Sequence, residues 1–222
     1  MTLPLRPLWT MADSRPSSID KKSVEGEKAV RLCNYTDVYN NHFLDSHMDL
    51  MEATAAPDQF ERLRVQPGDV LITKDSETPD DIGIPSIVRS ASDDMVCGYH
   101  LSLLRPLPGQ IDGRYLYWYL ESRMAKDFWF THSFGVTRFS LTSPAVWGLT
   151  VVDRPIPEQR RIADFLDRET AEIDAMDAEL DVLVETLQER RRSVSVETLA
   201  ELFAGATVPI WSVLAPTKDQ DH

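Results

Sequence analysis

Pro155-Ile156-Pro157-Glu158-Gln159-Arg160-Arg161-Ile162-Ala163-Asp164-Phe165-Leu166-Asp167-Arg168-Glu169-Thr170 is the stretch at which this chain changes character. Pro157 suits the first turn of a helix, where its missing N–H goes unused, and Glu158 beside it complements the positive end of the helix dipole. No glycine follows until Gly205 and no further proline until Pro209. Leu166, Ile173, Leu180, Leu187 and Val194 then recur every seven residues. Ile162, Met176 and Leu183 hold a second track, shared with Glu169 and Arg190. Together they form the a/d seam of a coiled coil. A helix from Pro157 to about Leu202 is roughly 65–70 Å long at ~1.5 Å per residue. It cannot bury its seam against a small domain alone and needs a second helix of similar length.

Upstream of Arg154 the pattern is mixed. Val70-Leu71-Ile72-Thr73 follows the turn Gln66-Pro67-Gly68-Asp69 and reads as a strand, as do Ile84–Val88 and Met95–Leu104. Asp112 is placed to cap one helix, on which Tyr115, Leu116, Tyr119, Leu120, Met124 and Phe128 recur at helical spacing. The fold class expected is therefore α+β. A globular domain spans 1–154, one long helix 155–203 and a tail 204–222. Near the start, Pro7-Leu8-Trp9-Thr10 resembles Pro209-Ile210-Trp211-Ser212 near the end, as if a second copy of a repeat begins there.

Charge separates the same two regions. The 222 residues carry a net charge of −13, of which −5 falls in residues 1–154 and −8 in residues 155–222. A simple nucleic-acid binder usually has a basic excess. The acidic helical third would be repelled by phosphates, so it reads as a spacer or a partner-binding element. No apolar run approaches a membrane span and the N-terminus lacks a signal-peptide core, which points to the cytoplasm with no membrane partner. Cys33 and Cys97 suit a reducing compartment and could pair only if the fold brought them together.

The Pro155-to-Thr170 stretch closely resembles the start of the spacer helix in specificity subunits of Type I restriction-modification systems. Ile173-Asp174 and Leu187-Gln188-Glu189-Arg190-Arg191-Arg192 continue the likeness. Upstream, Pro67–Asp75, Tyr115–Ser122 and Gly135-Val136-Thr137-Arg138-Phe139-Ser140-Leu141 resemble that family's target-recognition domain, in the family's order and spacing. The resemblance covers roughly residues 5–203. It implies a non-catalytic subunit with no cofactor. In the family, two such units stand in tandem, each reads one half of a split site in double-stranded DNA, and the two spacer helices pack antiparallel. Methyltransferase subunits dock on that framework, and a restriction subunit completes the complex. This sequence departs from the pattern by ending at the second Trp. A natural half-subunit, a truncated gene and a fragment all stay open. A natural half would be expected to form a homodimer through Leu166, Ile173, Leu180, Leu187 and Val194.

The candidate DNA contacts are Lys74, Gly135, Thr137 and Arg138. A guanidinium can meet phosphate or guanine, and Gly135 and Thr137 permit close backbone approach. The bland reading of Arg138 is a surface arginine, and that of Lys74 a solvated one, with Asp75, Glu77, Asp80 and Asp81 disfavouring a phosphate beside it. Tyr115, Tyr117, Trp118, Tyr119, Phe128, Trp129, Phe130 and Phe134 are expected mostly in the core rather than as a base-stacking platform, with Trp118 and Trp129 partly exposed. Cys97 and His100 lack a second ligand pair, so no metal site is expected. No phosphate-binding loop, dinucleotide loop, nucleophile elbow or adenine-methyltransferase tetrapeptide is present. The reading from another class is a coiled-coil interaction or decoy half-subunit, which dimerises or occupies methyltransferase without reading DNA.

Overall fold

The structure, a computed structural model, describes residues 4–204. The Trp211 repeat and the expected tail beyond Ala204 lie outside the described residues. In chain order the elements are β1 (Leu5–Pro7), β2 (Ala12–Pro16), β3 (Lys28–Cys33), α1 (Tyr35–Tyr39), β4 (Phe43–Leu44), β5 (Met51–Ala55), α2 (Pro57–Leu63), β6 (Val70–Thr73), β7 (Asp75–Ser76), β8 (Pro85–Val88), β9 (Met95–Cys97) and β10 (Leu101–Pro106). They continue as α3 (Gly113–Glu121), α4 (Arg123–His132), β11 (Phe134–Gly135), β12 (Phe139–Ser140), α5 (Ser143–Gly148), β13 (Thr150–Val152) and α6 (Ile156–Phe203). This is an α+β domain followed by one long helix. Two compact units divide the chain, Met1–Asp167 and Arg168–His222. The first three turns of α6 therefore belong to the first unit.

A five-stranded mixed sheet, ordered β2-β10-β6-β8-β4, lies at the centre of the first unit. Side chains of a strand alternate between its faces, and here both faces are covered. Val70, Ile72, Ile87 and Leu104 pack into one apolar cluster with Tyr115, Leu116 and Leu120 of α3 and Trp129 of α4. Their neighbours Leu71, Val88, Leu101 and Leu103 face a second cluster with Val30 and Leu32 of β3, Phe60 and Leu63 of α2, and Cys97. Burial on both faces explains why Val70-Leu71-Ile72 is a continuous apolar run rather than an alternating one. A second sheet, β5-β3-β9, supplies the outer layer over that second cluster.

Its register makes Cys33 and Cys97 direct neighbours on parallel strands, and both are buried free thiols. Burial pushes the Cys33 thiol up to about 12 and Cys97 well above its ordinary range, so neither forms a thiolate readily.

One helix was expected after Asp112, and two are present. Asp112 does cap α3, accepting from the backbone N–H of Arg114 and Tyr115. Ser122 then takes an extended conformation (φ −67°, ψ 153°), ends α3 and caps α4 by accepting from Ala125 N–H. The break swings α4 off the apolar stripe of α3. Met124 is thereby exposed, and Trp129 is buried instead of partly exposed. The Trp129 ring lies against Gly83, where a Cβ would fall 2.3 Å from its Cδ1. Trp118 is half-buried, while Phe130 and Phe134 are exposed and leave the core expected for them.

The root of α6 accounts for the motif that opened the sequence. Gln159 is fully buried, and its side chain accepts the Asp112 N–H at 2.8 Å and donates to the carbonyls of Arg154 (2.8 Å) and Gln110 (3.3 Å). Glu158 pairs with Arg154 at 3.0 Å, and Arg160 reaches Asp112 at 3.4 Å. Asp167 accepts from Trp118 Nε1 at 2.7 Å and from Arg114 at 2.9 Å, and Asp164 pairs with Arg114 at 2.7 Å. Ile162 packs on the first cluster and Ala163 is buried. Seven of the ten residues from 158 to 167 thus fasten the helix root to the domain, a requirement that a free coiled coil does not have. Beyond residue 168 the seam is bare among the described residues: Ile173, Leu180, Leu187 and Val194 are 53–58% exposed, while Leu166 is half-buried.

Candidate nucleic-acid interface

Strand β7 continues β6 past Lys74 and joins the hairpin β11–β12 in a small three-stranded sheet, ordered β11-β12-β7. Gly135 makes that hairpin possible. Its φ is +155°, and a Cβ there would lie 1.9 Å from the Arg138 carbonyl oxygen. Only glycine lets the strands cross so closely. Val136, Thr137 and Arg138 form the hairpin's tip, with Val136 90% and Phe134 80% exposed.

The tip closes one wall of an open cleft of about 850 Å³, lined also by Lys21, Tyr35, Asp75, Glu77, Asp81 and His100. Two of the four expected contact residues, Thr137 and Arg138, therefore meet in one cleft, and Gly135 shapes the hairpin that carries them. Lys74 is set apart. Its ammonium donates to the Ser17 carbonyl at 3.1 Å and lies 4.9 Å from the Tyr99 ring centroid. That charge is engaged within the domain.

Sequence reasoning missed the partners of Arg138. Its Nη2 lies 2.9 Å from Nδ1 of His100, and that same Nδ1 lies 2.7 Å from Oδ2 of Asp75. The Ser140 hydroxyl donates to the other Asp75 oxygen. Burial raises the Asp75 carboxyl, but the Ser140 hydroxyl, the His100 ring and the Arg138 charge outweigh it and hold the group below its usual range. Tyr35 stacks on Tyr39 with ring centroids 5.5 Å apart, and the Tyr39 hydroxyl donates to Asp81 at 3.0 Å. No local motif in the sequence marks this cluster, because long-range pairing assembles it. Chemically, the cleft offers the exposed Arg138 guanidinium, Lys21 and the carboxylates Asp75, Glu77 and Asp81. Among the described residues, no group of three or more His, Cys, Asp or Glu could hold a metal ion, and no helix is long and apolar enough to cross a membrane.

No family model matches this chain, and no curated protein matches it. Solved structures do. It is similar to the HsdS subunit from Thermoanaerobacter tengcongensis, with 21% identity and a TM-score of 0.56, over 79% of this chain and 40% of that one. It is similar also to a chain in a structure concerned with complex assembly and conformational transition of the type I R-M system, with 22% identity and a TM-score of 0.58, over 86% of this chain and 44% of that one. At these identities the likeness is one of fold. This chain spans less than half the length of either.

Proposed function

We propose that this chain is a non-catalytic DNA-recognition subunit of a Type I restriction-modification complex and reads one half-site of duplex DNA. The observation that carries the reading is the Gly135–Arg138 hairpin tip, which stands exposed over an open cleft in a domain whose fold is that of solved specificity subunits. An arginine in that position can form bidentate bonds to guanine or grip a phosphate. The domain over 1–154 acts as the recognition domain and α6 as the spacer. Methyltransferase and restriction subunits supply the chemistry, in the cytoplasm. A natural half-subunit would pair the bare seam of α6 antiparallel with a second copy, and its complete target would be an interrupted palindrome. The test is selection of bound duplexes from a random pool by the purified chain, with and without its methyltransferase. Enrichment of two inverted half-sites at fixed spacing supports the reading, and an unenriched pool removes it.

Two observations favour a second reading. Asp75, Glu77 and Asp81 line the same cleft, and the net charge is −13. A decoy half-subunit would bind methyltransferase through α6 and ignore DNA. Methyltransferase capture by a chain that enriches no duplex selects this alternative.

A further inference from the structure

The contact between Arg138 and His100 has an informative geometry. Nη2 of Arg138 lies 2.9 Å from Nδ1 and 3.4 Å from Nε2 of the ring. An atom close to both nitrogens cannot lie along the lone pair of either, and an in-plane approach between them would strike Cε1. The guanidinium therefore rests over the face of the imidazole. In the ring plane, Nδ1 is free to meet Asp75 Oδ2 at 2.7 Å. Both contacts are met at once by a ring that turns its Nδ1 edge to Asp75 and lies beneath the guanidinium.

The platform is braced on every side. Asp75 is fixed by the Ser140 hydroxyl, and Ser140 is its register partner across β7 and β12. The His100 backbone has φ +70°, a left-handed conformation that a residue other than glycine adopts at a cost. Such strain persists where the surroundings over-determine it, and often at functional sites. The His100 carbonyl accepts from Lys74 N–H at 2.9 Å, which ties the turn to the strand that bears Asp75. Asp81, which also lines the cleft, already accepts from Tyr39, and Arg138 has no carboxylate within ion-pair distance among the described residues. The ring is what holds it.

The geometry points to His100 as a positioning residue: braced by Asp75, it sets where the Arg138 guanidinium stands and hence which DNA atom it meets. This rests on the DNA-reading proposal above. Without the platform, Arg138 keeps its charge and general attraction for phosphate but loses its aim. His100 should therefore act on sequence discrimination, and only through Arg138.

A double-mutant cycle on the wild-type chain and a selected duplex tests this. His100→Gly removes the ring and relieves the positive φ, so it separates loss of aim from loss of fold. Arg138→Ala and the double variant complete the cycle. Each single change should weaken specific binding about tenfold, and the double variant should bind within about twofold of Arg138→Ala. His100→Phe, which restores a ring face, should recover most of the affinity and discrimination. The Asp75 carboxyl, followed by carbon NMR in the free protein, should titrate higher in His100→Gly. A double variant weakened by the product of the single effects, or a His100→Phe no better than His100→Gly, overturns the positioning role and leaves DNA reading intact. A wild-type chain with no preferred duplex overturns both.

Discussion

The side-chain oxygen of Gln159 accepts the backbone N–H of Asp112 at 2.8 Å, so one residue of the long helix satisfies the residue that caps α3. Gln159 has no solvent exposure, and each of its polar atoms has a partner. Gln159→Leu would leave the Asp112 N–H and two carbonyls without their partners at a half-buried joint. Unsatisfied groups of this kind cost about 1–3 kcal/mol each. A drop of at least about 2 kcal/mol in urea-derived stability is expected. An unchanged midpoint would show that the helix root is not fastened as described.

Gly135 offers a second test, on the hairpin. A Cβ at this position meets the Arg138 carbonyl at 1.9 Å, so Gly135→Ala must push the strands apart. The main core lies elsewhere, in the two clusters against the central sheet. DNA affinity should therefore fall as far as in Arg138→Ala, while the melting temperature shifts by only a few degrees. Full affinity in Gly135→Ala would detach the hairpin from recognition.

The Asp75 cluster makes a prediction about acid. Its carboxyl is held below the usual range in the folded chain, against about 3.9 unfolded. A group with a lowered folded value stabilises above the unfolded value, and that stabilisation is lost as pH falls through the folded one. The advantage of the wild type over Asp75→Asn should accordingly be steady from pH 7 to 5 and shrink below about pH 4. Urea midpoints at pH 6, 4 and 3 give the comparison. A gap that does not narrow would contradict the charge assignment.

A natural half-subunit is expected to self-associate through the bare seam. Ile173, Leu180, Leu187 and Val194 stand more than half exposed, and full burial of such a side chain contributes about 1.5–3 kcal/mol. The wild type should scatter light as a dimer at tens of micromolar. Leu180→Glu puts a charge at mid-seam and should give monomers. A wild-type monomer across the concentration series would refute the pairing of copies.

Much of this fold was legible in the sequence, for reasons that differ from element to element. The seven-residue period of Leu166 to Val194 and the absence of Gly and Pro announce α6, because a long helix must satisfy its period locally. Asp112 was legible as a cap, since capping depends on residues two and three positions away. The break at Ser122 was not read, because the apolar spacing runs on through it and only the cap on Ala125 reveals the new start. Trp129 misled for the same reason. Its burial depends on Gly83, far away in sequence. At the site, Gly135, Thr137 and Arg138 announced themselves as a compact motif. The meeting of His100 and Asp75 with that motif is not legible, since the three segments are united only by sheet pairing. Lys74 reads as a candidate DNA contact or a solvated lysine, and its bond to the Ser17 carbonyl cannot be inferred from its neighbours.

The central claim is that the hairpin over the cleft reads DNA sequence. The most direct measurement is fluorescence anisotropy of the selected duplex and a scrambled one, titrated with wild type and Arg138→Ala at two salt concentrations. The account predicts that wild-type binding weakens with salt yet keeps its preference for the selected duplex. Arg138→Ala should lose about 1–3 kcal/mol on the selected duplex, and its preference should relax at one position if the arginine meets a base, or its affinity fall alike for both duplexes if it meets a phosphate. Equal affinity of wild type and Arg138→Ala for both duplexes, with unchanged melting, would contradict it.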